Sequence, residues 1–289
     1  MSGAGPGTRE EHPLPTWVTA LATGTTFLGL LWLERRRPLR RERESKGVRT
    51  ARNLAVAGLS AATVQLAEAP VALPLARWTA RRRYGLVQRL PLPAWARTAL
   101  AVLLLDYTLY LWHVATHQVP FLWRFHKPHH ADLDLDASTA LRFHFGEMAL
   151  SVPWRAAQVL LVGAGPRALT LWQTLVLVEI LFHHSNVELS EPVDRRLSWL
   201  LVTPRMHGIH HSAVPEESDS NWSNLLTLWD RLHGTFRQDV PQEALRLGVP
   251  DHQDPAEVTL PRVLEMPFVE GSRDRYRFPG LSGHVPGKA

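Results

Sequence analysis

Apolar residues in this chain gather into five runs, at 16–33, 54–76, 98–112, 148–163 and 168–182. Each is longer than an ordinary strand and none alternates with period two, so the pattern predicts helices. The first run, TWVTALATGTTFLGLLWL, has no charge and no polar face, and it stops abruptly at Glu34 and three arginines. A helix needs about 20 apolar residues to cross a hydrocarbon core of ~30 Å. By that measure the runs predict about four to five membrane helices, several of them short. The second run carries Gln65, Glu68, Pro70 and Pro74, which leaves a re-entrant or interfacial hairpin as its alternative. A soluble protein with buried helices competes with this reading. The unbroken first run, with its basic stop, argues against it.

Charge then suggests an orientation. The segment 34–53 holds Arg35, Arg36, Arg37, Arg40, Arg41, Arg43, Lys46, Arg49 and Arg52. Cytoplasmic loops carry such an excess, which puts this segment inside. A signal peptide would have its positive charge before the apolar stretch and not after it. Arg77, Arg81, Arg82, Arg83, Arg89 and Arg97 then fall on the outer side, against the rule. The excess of basic groups, +5 over 289 residues, comes with no nucleic-acid motif, and membrane topology accounts for it. No cysteine is present, which excludes disulfide scaffolds, thiolate zinc sites and iron–sulfur centres.

The remaining chemistry lies in histidine, with 15 in the chain. They form groups: His113 and His117 as HVATH; His126, His129 and His130 as HKPHH; His183 and His184 as LFHHSN; His207, His210 and His211 as HGIHH. On a helix, positions i, i+3 and i+4 project to one side. Pro128 weakens that expectation for the second group, because the residue before a proline avoids helix. Imidazole suits zinc, copper and iron. So many rings gathered without metal would leave buried nitrogens unmatched. A single ion needs fewer ligands than these groups offer, so the pattern points to two. Neither HExxH nor paired Glu-x-x-His is found.

These stretches resemble the fatty acid hydroxylase/sterol desaturase superfamily of membrane-embedded di-iron oxygenases. The resemblance rests on DYTLYLWHVATH (106–117), FHKPHHADLDLDASTALRFH (125–144), FHHSNVEL (182–189) and TPRMHGIHHS (203–212), then NWSNLLTLWDRLHGTF (221–236). It implies that His113, His117, His126, His129, His130, His184, His207, His210 and His211 bind two iron ions, with zinc able to replace iron on purification. His183 is the alternative to His184, or a neighbour supporting it. His144 is a further ligand or a supporting residue alongside Arg142 and Glu147; Phe145 stands where relatives often have proline. The resemblance also implies hydroxylation or desaturation of a fatty acyl or sterol-like lipid with O2. Electrons would come from an external reductase, ferredoxin or cytochrome.

A ligating histidine usually donates its other N–H to a carboxylate or carbonyl. Asp106, inside an apolar run, is therefore a candidate partner, together with Asp132, Asp136, Asn186, Asn224 and Asp230. Asp132, Asp134 and Asp136 serve equally well as solvated loop residues. Trp112, Trp123, Trp222 and Trp229 are interface anchors or line a lipid entrance. The expected fold is all-α: an integral membrane protein with a cytosolic helical, His-rich cap, in a bacterial inner membrane. Its parts are N-terminal membrane helices and a basic loop (1–97), a catalytic domain (98–240), and a C-terminal tail (241–289) read as extended surface structure. Two other readings stay open: a membrane zinc hydrolase and a non-catalytic metal-binding protein.

Overall fold

The computed structural model describes residues 12–269. Among them the architecture is helical; the only β pairings are isolated bridges. The five apolar runs become α1 (Thr16–Arg36), α2 (Lys46–Thr63) continuing into α3 (Ala69–Arg82), α4 (Ala94–Gln118), α6 (Phe145–Val162) and α7 (Pro166–His184), with α5 (Pro120–His130) between α4 and α6. Three helical stretches are long and apolar enough to cross a membrane: Thr16–Arg36, Lys46–Arg89 and Ala94–Gln118. α6 and α7, of 18 and 19 residues, pack against them.

The second run does not reverse as a hairpin. Helix α2 passes through one π turn, Val64–Glu68, directly into α3. That widened turn accommodates Pro70 and Pro74, and it brings Glu68 within 3.2 Å of Arg155 on α6. The Arg155 guanidinium also lies 4.4 Å from the centre of the Trp172 ring. Two charges inside apolar runs are thus each other's partners, as residues at membrane depth must be. Arg155→Leu is expected to lower the unfolding midpoint sharply by leaving Glu68 uncompensated, a loss of ~3–5 kcal/mol. The double change with Glu68→Leu should recover most of it in a double-mutant cycle. Full additivity would show that the pair is not coupled.

Helices α1, α4 and α7 end, and α2 and α6 begin, at one end of the bundle, where the histidines are. At the opposite end the α3–α4 and α6–α7 connections meet. The Gln88 side chain donates to the Gly163 carbonyl, and Thr79 to that of Ala164. Gly163 has φ +77°, and a Cβ on Gly85 would meet the Gly163 Cα at 2.3 Å, so the contact requires both glycines. Apolar packing of Leu105, Val159, Leu169 and Trp172 fills the space between α3, α4, α6 and α7.

The histidine end is closed by short helices: α8 (Glu191–Leu197), α9 (Pro204–His210), α10 (Pro215–Ser218), α11 (Leu228–His233) and α12 (Leu260–Glu265). Here the expected extended tail is corrected. Over 241–269 the chain folds back: Val249, Val258, Val263 and Met266 are buried against Val56, Trp123 and Leu133. Its apolar residues are too sparse to read as an element, yet they cover the cap. Residues 270–289 lie outside the described part.

The basic segment also differs from a solvated loop. Arg49 is fully buried and donates to Asp132, and it pairs with Asp136. Arg52 bridges Glu44 and Asp132. Asp134 accepts from the backbone N–H groups of Arg43 and Glu44. Asp132, Asp134 and Asp136 are therefore buried, and they fasten the loop after α5 to the start of α2. Burial alone would raise the Asp132 carboxyl. Arg49 and Arg142 beside it, with the Thr139 hydroxyl, outweigh that and hold it at about 2.

Candidate metal centre

Each histidine group sits at a helix end that the sequence specifies. His113 and His117 occupy the last turns of α4, and His183 and His184 the last turn of α7. Pro120 opens α5, which continues through Pro128 to His130; Arg142 donates its Nε hydrogen to the Pro128 carbonyl at 2.9 Å. Thr203 caps α9 with Pro204 in its first turn, which sets His207 and His210 on the helix and His211 just after it.

Nine rings from these four places converge into two groups. His113, His117, His126, His130 and His210 form one; His129, His184, His207 and His211 form the other. Within each group one nitrogen per ring lies within 4.8 Å of the others, and all nine residues are buried. The division follows from helix geometry. At 100° per residue, i and i+4 are 40° apart, whereas i+3 lies 100° from i+4. Accordingly His126 and His130 enter one group and His129 the other, while His207 and His211 pair and His210 crosses over. Each HxxHH sequence feeds both groups. They adjoin where the His130 and His211 rings stack, 4.2 Å apart and 9° from parallel.

Hydrogen bonds fix which nitrogens carry protons. A carbonyl or carboxylate can only accept, so the ring nitrogen facing it bears the hydrogen. His113 Nδ1 donates to the Trp222 carbonyl at 2.8 Å, His210 Nδ1 to that of Ser220 at 2.8 Å, and His184 Nδ1 to that of Ile180 at 2.8 Å. His126 Nδ1 donates to Glu147 at 2.9 Å. Each of these neutral rings therefore turns a bare Nε2 lone pair inward. In the second group, successive Nε2 atoms of His129, His184, His207 and His211 are 3.0–3.1 Å apart. The bare His184 nitrogen is approached by two neighbours at once, more than one lone pair can accept. Nitrogens ~2.1 Å from a common ion, with bonds at right angles, sit about 3 Å apart. His126 Nε2, His130 Nε2 and His210 Nε2 are buried with no hydrogen-bond partner. The donor set and its orphaned nitrogens fit two metal ions.

Electrostatics keep the rings neutral. Burial, then the neighbouring rings, pushes His129, His130, His207 and His211 well below the usual imidazole range, and His210 to about 3. The unfolded chain takes up these protons below ~6.5. Stability of the metal-free protein is therefore full above that value and is lost as pH falls towards 3. Its denaturation midpoint is expected to be lower at pH 5.5 than at 7.5; an unchanged or higher midpoint would contradict neutral burial.

The other residues that the sequence nominates sit elsewhere. His183 is fully buried, its ring centre 4.0 Å from that of His207, and lies outside both groups. His144 lies outside both groups: its Nδ1 accepts from the Gly146 N–H and caps α6, and its Nε2 hydrogen goes to the Leu264 carbonyl. Asp106 meets the Trp229 indole and the Leu226 N–H, and no ring of either group. Asn186 holds Arg40 through both its amide atoms. Asp230 accepts from the Trp222 and Ser223 N–H groups, shaping the loop whose Trp222 carbonyl orients His113. Asn224 donates to that same carbonyl. Trp123 and Trp222 pack beside His117, whereas Trp112 packs at a tilt against Trp154 and Trp229 against Tyr107. One supporting residue carries no signal in the sequence. Arg40 reaches across to the carbonyls of Ser185 and Pro204, tying the two segments that present His184 and His207. It stands among nine basic residues with nothing in its local pattern to single it out.

With this geometry in place, comparison with known proteins bears on the middle of the chain. Residues 98–235 match the family model for fatty acid hydroxylase. This region is a fatty acid hydroxylase domain. The chain is 32% identical to an ornithine lipid hydroxylase of Rhizobium tropici over 53% of this chain and 45% of the relative. It is 31% identical to an alkylglycerol monooxygenase of Xenopus tropicalis over 52% and 31%, and 31% identical to a cholesterol 25-hydroxylase-like protein of Danio rerio over 48% and 54%. The matched part thus spans between about a third and about half of these relatives. No solved structure matches the chain. The apolar helices, together with these relatives, make this an integral membrane protein. All four histidine groups fall inside the matched region.

Proposed function

We propose that the protein is an O2-dependent lipid hydroxylase whose nine grouped histidines hold two iron ions. The convergence of nine inward-facing ring nitrogens in two adjoining groups supports this reading most directly. When bound, such a pair supplies activation of dioxygen and oxidation of an unactivated C–H bond. The polypeptide's own contribution is to hold the rings and keep them neutral and dry. Glu147 and the carbonyls of Ile180, Ser220 and Trp222 lock four tautomers. The Phe143 ring stacks on His129 at 4.3 Å, and Trp123 and Trp222 border the first group. Glu147→Gln should weaken binding at the first group by about 10–100-fold, read as ion release to a chelator. Unchanged release would remove Glu147 from the support of His126.

The relatives are named as hydroxylases and monooxygenases, which favours hydroxylation over desaturation. The substrate class is a lipid of the surrounding membrane, and electrons come from a separate reductase, ferredoxin or cytochrome. The histidine end faces the cytoplasm, next to the basic 34–53 segment, and residues 98–240 form the catalytic unit. Lipid profiling of cells with and without the gene tests this. A lipid gaining the mass of one oxygen is expected; loss of two hydrogens would indicate desaturation instead, and no change in any lipid class would contradict the oxygenase reading. Nine ring ligands exceed what a zinc hydrolase uses, since a catalytic zinc takes three and keeps one position open.

A further inference from the structure

Asp106 is a buried carboxylate that the metal centre does not use, and its partners reveal where a part of the cap lies. Asp106 is the central residue of the 25-residue helix α4. At 1.5 Å per residue it lies about 18 Å from either end of that helix, deep in the span. Its Oδ2 accepts from the Trp229 Nε1–H at 2.7 Å and from the Leu226 N–H at 3.3 Å. Leu201 and Leu226 form a β-bridge, and with Leu225 they pack into the core built by Leu105, Leu169 and Val176. The cap segment before α9 and the one leading into α11 therefore descend along α4 and α7 to mid-helix depth.

Two features of this limb belong to a lipid environment. First, four of its outward side chains are large and apolar: Trp199 is 70% exposed, Leu200 61%, Leu228 47% and Leu232 66%. Second, six of its backbone donors are paired within the protein. The N–H groups of Trp199, Leu200 and Leu201 bond to the α8 carbonyls, that of Val202 to Leu225, and that of Thr227 to Leu200. The Leu226 N–H has Asp106. Irregular backbone at membrane depth is tolerated only with such internal pairing. A limb resting in water would need neither a buried carboxylate as acceptor nor four large apolar side chains outside.

We propose that residues 198–233 include a re-entrant wedge that dips into the acyl layer beside α4 and α7, with Trp199, Leu200, Leu228 and Leu232 against lipid chains. The occupant of this face is the bilayer itself. The apolar surface continues that of the α4 span, and Asp106 is the internal acceptor that lets the non-helical backbone at Leu226 reside there. The wedge adjoins the loop carrying Trp222, so acyl chains reach the protein about two helical turns from His113. This inference rests on the span of α4 and not on the identity of any metal.

The natural chain has no cysteine, which allows direct measurement. Single variants Leu200→Cys, Leu232→Cys and the exposed cap control Glu243→Cys, in the full-length protein in phosphatidylcholine liposomes, would carry a nitroxide label. Labels at 200 and 232 are expected to collide several-fold more often with oxygen, which concentrates in the acyl layer, than with a water-soluble nickel chelate. The label at 243 should show the reverse. If either label at 200 or 232 behaved like the one at 243, the wedge would be overturned. Two independent positions guard against a local effect of either substitution.

Discussion

Replacing His210 or His129 by alanine is expected to reduce the bound metal to about one ion per chain and to lower turnover by on the order of 100-fold or more. Loss of a supporting partner alone costs 10–100-fold at metal sites, and removal of a ligand should exceed that. The two residues probe different groups, since His210 lies with His113, His117, His126 and His130, and His129 with His184, His207 and His211. Elemental analysis of each purified variant, alongside product formation, reads the result. A variant that kept two ions and full turnover would remove that residue from the centre. His144→Ala is the informative contrast. Its two ring nitrogens are engaged by Gly146 and Leu264, so metal content should stay at two while α6 loses its cap, at a cost of ~1 kcal/mol.

The second large effect is on folding. Arg49→Met should destabilise the protein by ~3–5 kcal/mol, because it leaves the buried Asp132 and Asp136 without their principal counter-charge. Exposed Arg36 and Arg41, in the same basic segment, should change stability by no more than about 0.5 kcal/mol when made alanine. Denaturation midpoints of the three variants in one detergent decide the matter. Equal, small changes would mean that the Arg49 cluster contributes little beyond membrane orientation.

The contrast between these arginines shows what the amino-acid pattern could and could not convey. Apolar runs are long-range statements about solvent, so the helical bundle was readable from them. The HxxHH spacing is a local statement about helix faces, and it carried the convergence of rings on a pair of sites. It also held the division between the sites, since a 100° step separates His129 from His130 and His210 from His211. Arg40, Arg49 and Asp132 make their contacts over long sequence separations, where neither period nor spacing speaks. A basic run before a membrane helix looks the same whether its side chains meet water or three buried aspartates. Asp106 was noticed because a charge in an apolar run demands a partner. That partner proved to be an indole and a backbone N–H in the cap and not a histidine, because the cap reaches down to meet it. The folded-back segment at 241–269 left no trace of periodicity, having only a few apolar residues separated by prolines and charges.

The function proposed for this chain requires two adjoining metal-binding groups in one polypeptide. The most direct test is the metal-to-protein ratio of the full-length protein, purified without oxygen after growth with iron and freed of loosely bound ions. Two ions per chain is the predicted result. A ratio of one, or of none under conditions where the protein is folded and active, would contradict it.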